Sequence, residues 1–110
     1  MKVYVVTRRP DGHVHLTVDG SLITPDRALV LRRAKTTTHM YGFIGEGPTV
    51  LALSILLDAL GGQAEAALIA CEAYAAEFLG TAASDSDELR FTDSEIRTWF
   101  KHFAVSWEGA

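Results

Sequence analysis

The chain has 110 residues, 48% of them apolar, and a formal net charge of -4. That is one domain's length, with enough apolar content to bury roughly two-thirds of the surface its unfolded chain exposes, so global disorder is excluded. The mild negative charge disfavours nucleic-acid binding by the surface as a whole.

Met1-Lys2-Val3-Tyr4 runs straight into a strand pattern with no secretory leader, so a cytoplasmic location is expected. Val3–Arg8 is rich in β-branched and aromatic residues. Pro10-Asp11-Gly12 supplies a turn, and residues 13–19 alternate, with Val14, Leu16 and Val18 on one face and His13, His15, Thr17 and Asp19 on the other. This predicts a hairpin with one buried face. Asp19-Gly20 is a second turn pair, and Ser21–Ile23 is expected to begin a third strand. Pro25-Asp26 breaks the chain. Residues 28–33 fit a strand or a helix, and the alternation of Leu29 and Leu31 with Val30 and Arg32 favours a strand. Residues 35–39 read as an extended connection.

Tyr41-Gly42-Phe43-Ile44-Gly45-Glu46-Gly47-Pro48 is a glycine-rich turn that opens a helix, with Pro48 at a first helical position. Residues 49–60 are apolar on nearly every side, as in a central buried helix that Gly61-Gly62 ends. The longest apolar run is too short to span a bilayer, so no membrane role is expected. Residues 63–79 form a second helix whose alanines allow close approach to the first. Residues 81–88 are small, polar and acidic and read as a flexible loop. Thr92 and Glu95 form a capping box for a third helix with Ile96, Trp99, Phe100 and Phe103 on its apolar face. Residues 104–110 read as a tail.

The whole is one α+β domain over residues 1–110. It has an N-terminal antiparallel hairpin or small sheet of about three to four strands, packed on a C-terminal three-helix unit. Residues 1–40 are mainly β, 41–48 the turn, and 49–103 helical.

Charge is uneven. Residues 1–57 carry seven Lys/Arg against four Asp/Glu, and residues 58–110 carry three against ten. Glu72, Glu77, Asp85, Asp87 and Glu88 form the acidic surface expected to meet a protein partner with a basic surface. Arg27, Arg32, Arg33 and Lys35 are the second candidate surface, suited to phosphate backbones. A third reading is a small enzyme with a site near His39, Glu46 and Asp58. Asp58 is an acid within an apolar helix; if buried it must be paired, protonated or hydrogen-bonded, and it is expected to face the helix exit or pair with an arginine such as Arg32 or Arg33. His13 and His15 have metal-ligand spacing on a strand, with His39 the candidate third ligand, but nothing in the sequence places it there. Cys71, the single cysteine, lies on a core stripe and reads as an inert thiol. The glycine spacing matches neither dinucleotide nor P-loop fingerprints, and Glu46 would repel an anion at the helix start. No cofactor or metal is implied, and no pattern bears on oligomeric state.

The stretch from Tyr41 to Gly61 is distinctive: Tyr-Gly, then Gly-x-Gly-Pro, then Leu-Ala-Leu-x-Ile-Leu-x-Asp-x-Leu-Gly. With the preceding hairpin and the closing Thr92, Glu95, Ile96 and Trp99, it resembles a small bacterial and phage family of unknown function, over roughly residues 3–100 in pattern. The chain departs from that pattern in the acidic loop near Asp85 and in the basic-threonine run at residues 32–38. The resemblance implies a short accessory protein of phages and mobile elements that binds a host or phage protein. Inhibitors of nucleic-acid-targeting defence complexes, anti-CRISPR proteins among them, are one such class. On this reading the protein is a non-catalytic interaction module.

Overall fold

A computed structural model describes residues 1–33, 38–81 and 84–109. Its elements are β1 (Val3–Arg8), β2 (Val14–Val18), β3 (Ser21–Ile23), α1 (Asp26–Arg32), α2 (Glu46–Ala59), α3 (Ala64–Tyr74) continued by a wide helical turn (Ala75–Leu79), β4 (Glu88–Thr92) and α4 (Asp93–Gly109). The strands form one antiparallel sheet in the order β3-β2-β1-β4.

The period of two assigns the faces. Tyr4 pairs with Val18 and Phe91, and Val6 with Leu16 and Leu89. These residues lie on one face of the sheet, and Tyr4, Val6 and Leu16 are fully buried. Val5, Thr17 and Arg90 share the opposite face. The helices cover the first face. α2 runs through the middle with twelve of its fourteen residues buried, which is why its apolar residues show no stripe. Ala67 and Ala70 of α3 are fully buried, small enough for the two helices to pack closely. Gly62 N–H donates to Leu57 C=O at 2.7 Å and both Gly61 and Gly62 take positive φ, closing α2 as expected.

Three local readings of the sequence are corrected. Residues 28–33 belong to a helix, not a strand: Leu29 N–H bonds back to Pro25 C=O, and Arg33 closes the turn in the left-handed region at φ 54°. Ala28, Leu31 and Arg32 stand at helical spacing, so the same run that alternates also satisfies a helix. Residues 88–92 form β4 rather than loop and helix cap alone. Residues 104–109 of the expected tail are the last part of α4, which continues through Gly109. The capping box is present as expected: Glu95 N–H donates to Thr92 Oγ1, whose hydroxyl donates to Glu95 Oε1 at 2.8 Å.

An aromatic cluster joins the late elements to the core. The Tyr74 ring lies 4.8 Å from Phe78, 5.9 Å from Phe91 and 5.1 Å from Trp99, and Trp99 stacks on Phe103. α3 with its wide final turn, β4 and α4 therefore meet at one buried tyrosine.

Candidate functional site

The glycine-rich turn is tied down on both sides. Gly42 has φ 99°, and its N–H bonds to Leu79 C=O at 2.8 Å. A Cβ on Gly42 would stand 2.9 Å from the Arg8 guanidinium and 3.2 Å from Ser84 Cα, so glycine is required by conformation and by space. Arg8 sits over the Tyr41 ring at 4.2 Å and donates to Ser84 C=O and Tyr41 C=O. Tyr41 Oη–H donates to Ser86 C=O, and Arg8 N–H to Asp87 C=O. The turn and the acidic loop are thus stitched together through Arg8 and Tyr41.

On its other side the turn meets an ion triad. Arg32 Nε bonds Glu46 at 2.8 Å and its Nη2 bonds Glu72 at 2.8 Å, joining α1, α2 and α3. Partial burial works against the guanidinium charge, but the hydrogen bonds it donates to Glu72 and Glu46 outweigh it and raise the pKa. Glu46 also lies in the first turn of α2, where the helix dipole favours a negative charge. Two carboxylates on one cation leave this corner with a net negative charge.

Between the turn and the triad runs a groove of about 290 Å³, lined by Phe43, Ile44, Pro48, Ala75 and Ala76 with Arg32, Glu46 and Glu72 at its polar end. Phe43 is 44% and Ile44 80% exposed. Neighbouring residues 41 and 47–57 are buried, so two large apolar side chains facing solvent here are unusual for this part of the chain.

The structure divides the charge clusters read from sequence. Among the acids, Glu72 is in the triad. Glu77 accepts the Trp99 indole N–H at 2.6 Å, and Glu88 pairs with Arg90. Asp85 and Asp87 are exposed in the loop held by Arg8 and Tyr41. Among the bases, Arg32 is committed to two carboxylates. Arg27, about 140° away around α1, faces a different cleft, lined with Asp58 and Ser54. Arg33 is exposed at the helix end, and Lys35 lies outside the described residues.

His39, Glu46 and Asp58 line three separate clefts and do not form one centre. Asp58 is paired, but not with Arg32 or Arg33: Lys2 Nζ at 3.1 Å and the Tyr4 hydroxyl both donate to its Oδ1. The Tyr4 phenol is held well above its usual pKa, by burial first and by the Asp58 hydrogen bond second. His39 is buried against Ser54, with Nε2 and Oγ 2.8 Å apart, and burial pushes its pKa down to about 4. His13 engages Asp11, whereas His15, opposite Thr7 on the sheet, lines one cleft with His39. Among the described residues no group of His, Cys, Asp or Glu suits a metal ion. The Cys71 thiol is buried and shifted up by burial, with Sγ–H donating to Leu68 C=O, which leaves it unreactive. No described helix is long and apolar enough to cross a membrane.

The sequence reading named the turn but not the exposure of Phe43 and Ile44. It also missed Ser54 and Lys2. Ser54 and Asp58, one turn apart on an otherwise apolar helix, carried a usable signal: two polar groups on one face of a buried helix mark where that helix meets a cleft.

No curated protein and no solved structure matches the chain. A family model covers residues 4–102, taking in the sheet, the glycine-rich turn, the central helix and most of α4. The chain belongs to the family of unknown function DUF6166.

Proposed function

We propose that the protein is a non-catalytic interaction module that grips a protein partner at the groove beside the glycine-rich turn. The observation that carries this reading is the exposure of Phe43 and Ile44 on a turn whose backbone is fixed from both sides. A rigid turn presenting two apolar side chains gives up little conformational entropy on binding. Glu46 and Glu72 line the groove with that apolar pair, and the loop carrying Asp85 and Asp87 is held against the turn at Tyr41 and Gly42. The matching partner segment carries an apolar anchor next to lysine or arginine. The anchor supplies affinity, and the charges set encounter rate and partner choice. In its finer form, supported by the sequence resemblance alone, the protein is borne by phages or mobile elements and its partner is a subunit of a host nucleic-acid-targeting defence complex.

Affinity capture from lysate of the source organism, with nuclease present, tests the reading. The Ile44→Asp variant is expected to lose at least about tenfold of the captured partner, the cost of one buried apolar contact replaced by a charge. Its melting temperature is expected to be unchanged, because Ile44 is already in water. Reversing Asp85, Asp87 and Glu88 to lysine is expected to weaken capture most at low salt. Capture that survives Ile44→Asp undiminished overturns the assignment of this surface.

A further inference from the structure

A second cleft, of about 400 Å³, lies towards the other end of α2. Ser54 and Asp58 project into it from adjacent turns of the helix, and Lys2, Thr24, Arg27 and Leu57 complete most of its wall. Gly61 and Gly62 turn the chain away at the helix end without placing a side chain over the opening. A Cβ on Gly62 would stand 3.9 Å from Arg27 Nη1, so the guanidinium lies directly beside this turn.

The hydrogen bonding within the cleft is unevenly spent. Both donors to Asp58, the Lys2 ammonium and the Tyr4 hydroxyl, go to Oδ1. Its Oδ2 accepts no hydrogen bond among the described residues. Arg27 makes no ion pair and no hydrogen bond among the described residues, although it shares the cleft with that carboxylate. The Lys2 charge is matched by Asp58, so Arg27 supplies the uncompensated positive charge of the cleft. Ser54 Oγ, at the buried end, is held by His39.

We propose that this cleft binds a small polar molecule carrying an oxyanion for Arg27 and a hydroxyl or amino donor for Asp58 Oδ2. A guanidinium offers a planar fork of donors that fits carboxylate or phosphate in two parallel hydrogen bonds. A carboxylate oxygen with vacant lone pairs selects a donor beside that anion, which a simple anion lacks. The volume lies within the range of small-ligand sites, and polar groups converge from α1, α2 and the residue preceding β1 over an apolar floor. The site is independent of the groove at the glycine-rich turn, and its ligand class is small molecules rather than protein.

Two matched pairs of probes, titrated at millimolar concentration into the ¹⁵N-labelled full chain, test the proposal. Lactate is compared with propionate, and glycerol 3-phosphate with inorganic phosphate. The hydroxyl-bearing member of at least one pair is expected to shift the Gly61 and Gly62 amides and the Arg27 Nε–H saturably. It is expected to do so at about tenfold lower concentration than its control. The pair that responds identifies the oxyanion as carboxylate or phosphate. Arg27→Gln, a change at an exposed side chain, is expected to abolish the response while leaving the spectrum otherwise intact. Asp58→Asn is expected to remove the preference for the hydroxyl-bearing probe while retaining the anion response. The proposal is overturned if neither pair shifts these resonances, if the controls act as strongly as the hydroxyl-bearing probes, or if Arg27→Gln still responds.

Discussion

Lowering the pH from 7 to 4 is expected to cost the wild-type protein roughly 3 kcal/mol more stability than it costs the His39→Gln variant. His39 is buried beside Ser54, and burial depresses its pKa from 6.5 to about 4. Between those two values the unfolded chain holds a proton that the folded chain does not. Stability from this group is therefore complete above pH 6.5, falls as the pH drops through the window, and levels off below about pH 4. Glutamine can keep a hydrogen bond to Ser54 but cannot titrate. Carboxylates elsewhere contribute to both proteins, so the difference between the two denaturation curves isolates the histidine. Parallel pH profiles would mean that the imidazole reaches water in the folded state.

The second large effect is at Tyr74. Its ring meets Phe78, Phe91 and Trp99, and it is 1% exposed. Tyr74→Ala is expected to cost roughly 3–5 kcal/mol, the usual range for emptying an aromatic site in a core. Tyr74→Phe is expected to cost less than about 1 kcal/mol, because the phenol makes no hydrogen bond among the described residues. The same cavity would loosen β4 and α4, since both contribute a ring to the cluster. Urea denaturation followed by tryptophan fluorescence and by far-UV circular dichroism reads both effects. If Tyr74→Ala cost no more than Tyr74→Phe, the late elements would not share the core described above.

The alternation of Val14, Leu16 and Val18 identified β2 and its inner face, because a period of two over several residues has no helical counterpart. The continuous apolar run after Pro48 identified the central helix. β4 was hidden because only Leu89 and Phe91 face inward, between Glu88, Arg90 and Thr92. Two apolar residues are too few to establish a period. α1 was misread because its short run carries both patterns: Leu29 and Leu31 alternate, while Ala28, Leu31 and Arg32 stand at helical spacing.

Pairing of charges was the least legible feature. Arg32 bonds Glu46 and Glu72, 14 and 40 residues away, and Lys2 reaches Asp58 across 56. Such partners are chosen by the packing of α1, α2 and α3, which no local pattern records. A cluster of four cations in nine residues consequently reads as one basic face. Its members Arg27 and Arg32 point into different clefts because α1 is a helix. The acidic residues are divided too, with Glu72 on Arg32, Glu77 on Trp99 and Glu88 on Arg90. The loop carrying Asp85 and Asp87 lies against the glycine-rich turn through Arg8 and Tyr41, so acids and exposed apolar side chains occupy neighbouring positions.

The claim that partner binding occurs at the glycine-rich turn is tested most directly by site-specific photocrosslinking. A benzophenone amino acid is placed at Ile44 in one protein and at Thr17, on the opposite face of the sheet, in another. Irradiation in lysate of the source organism is expected to give a discrete protein adduct from position 44 and none from position 17. An adduct from position 17 with none from position 44 would contradict the account and move the interaction surface to the open face of the sheet.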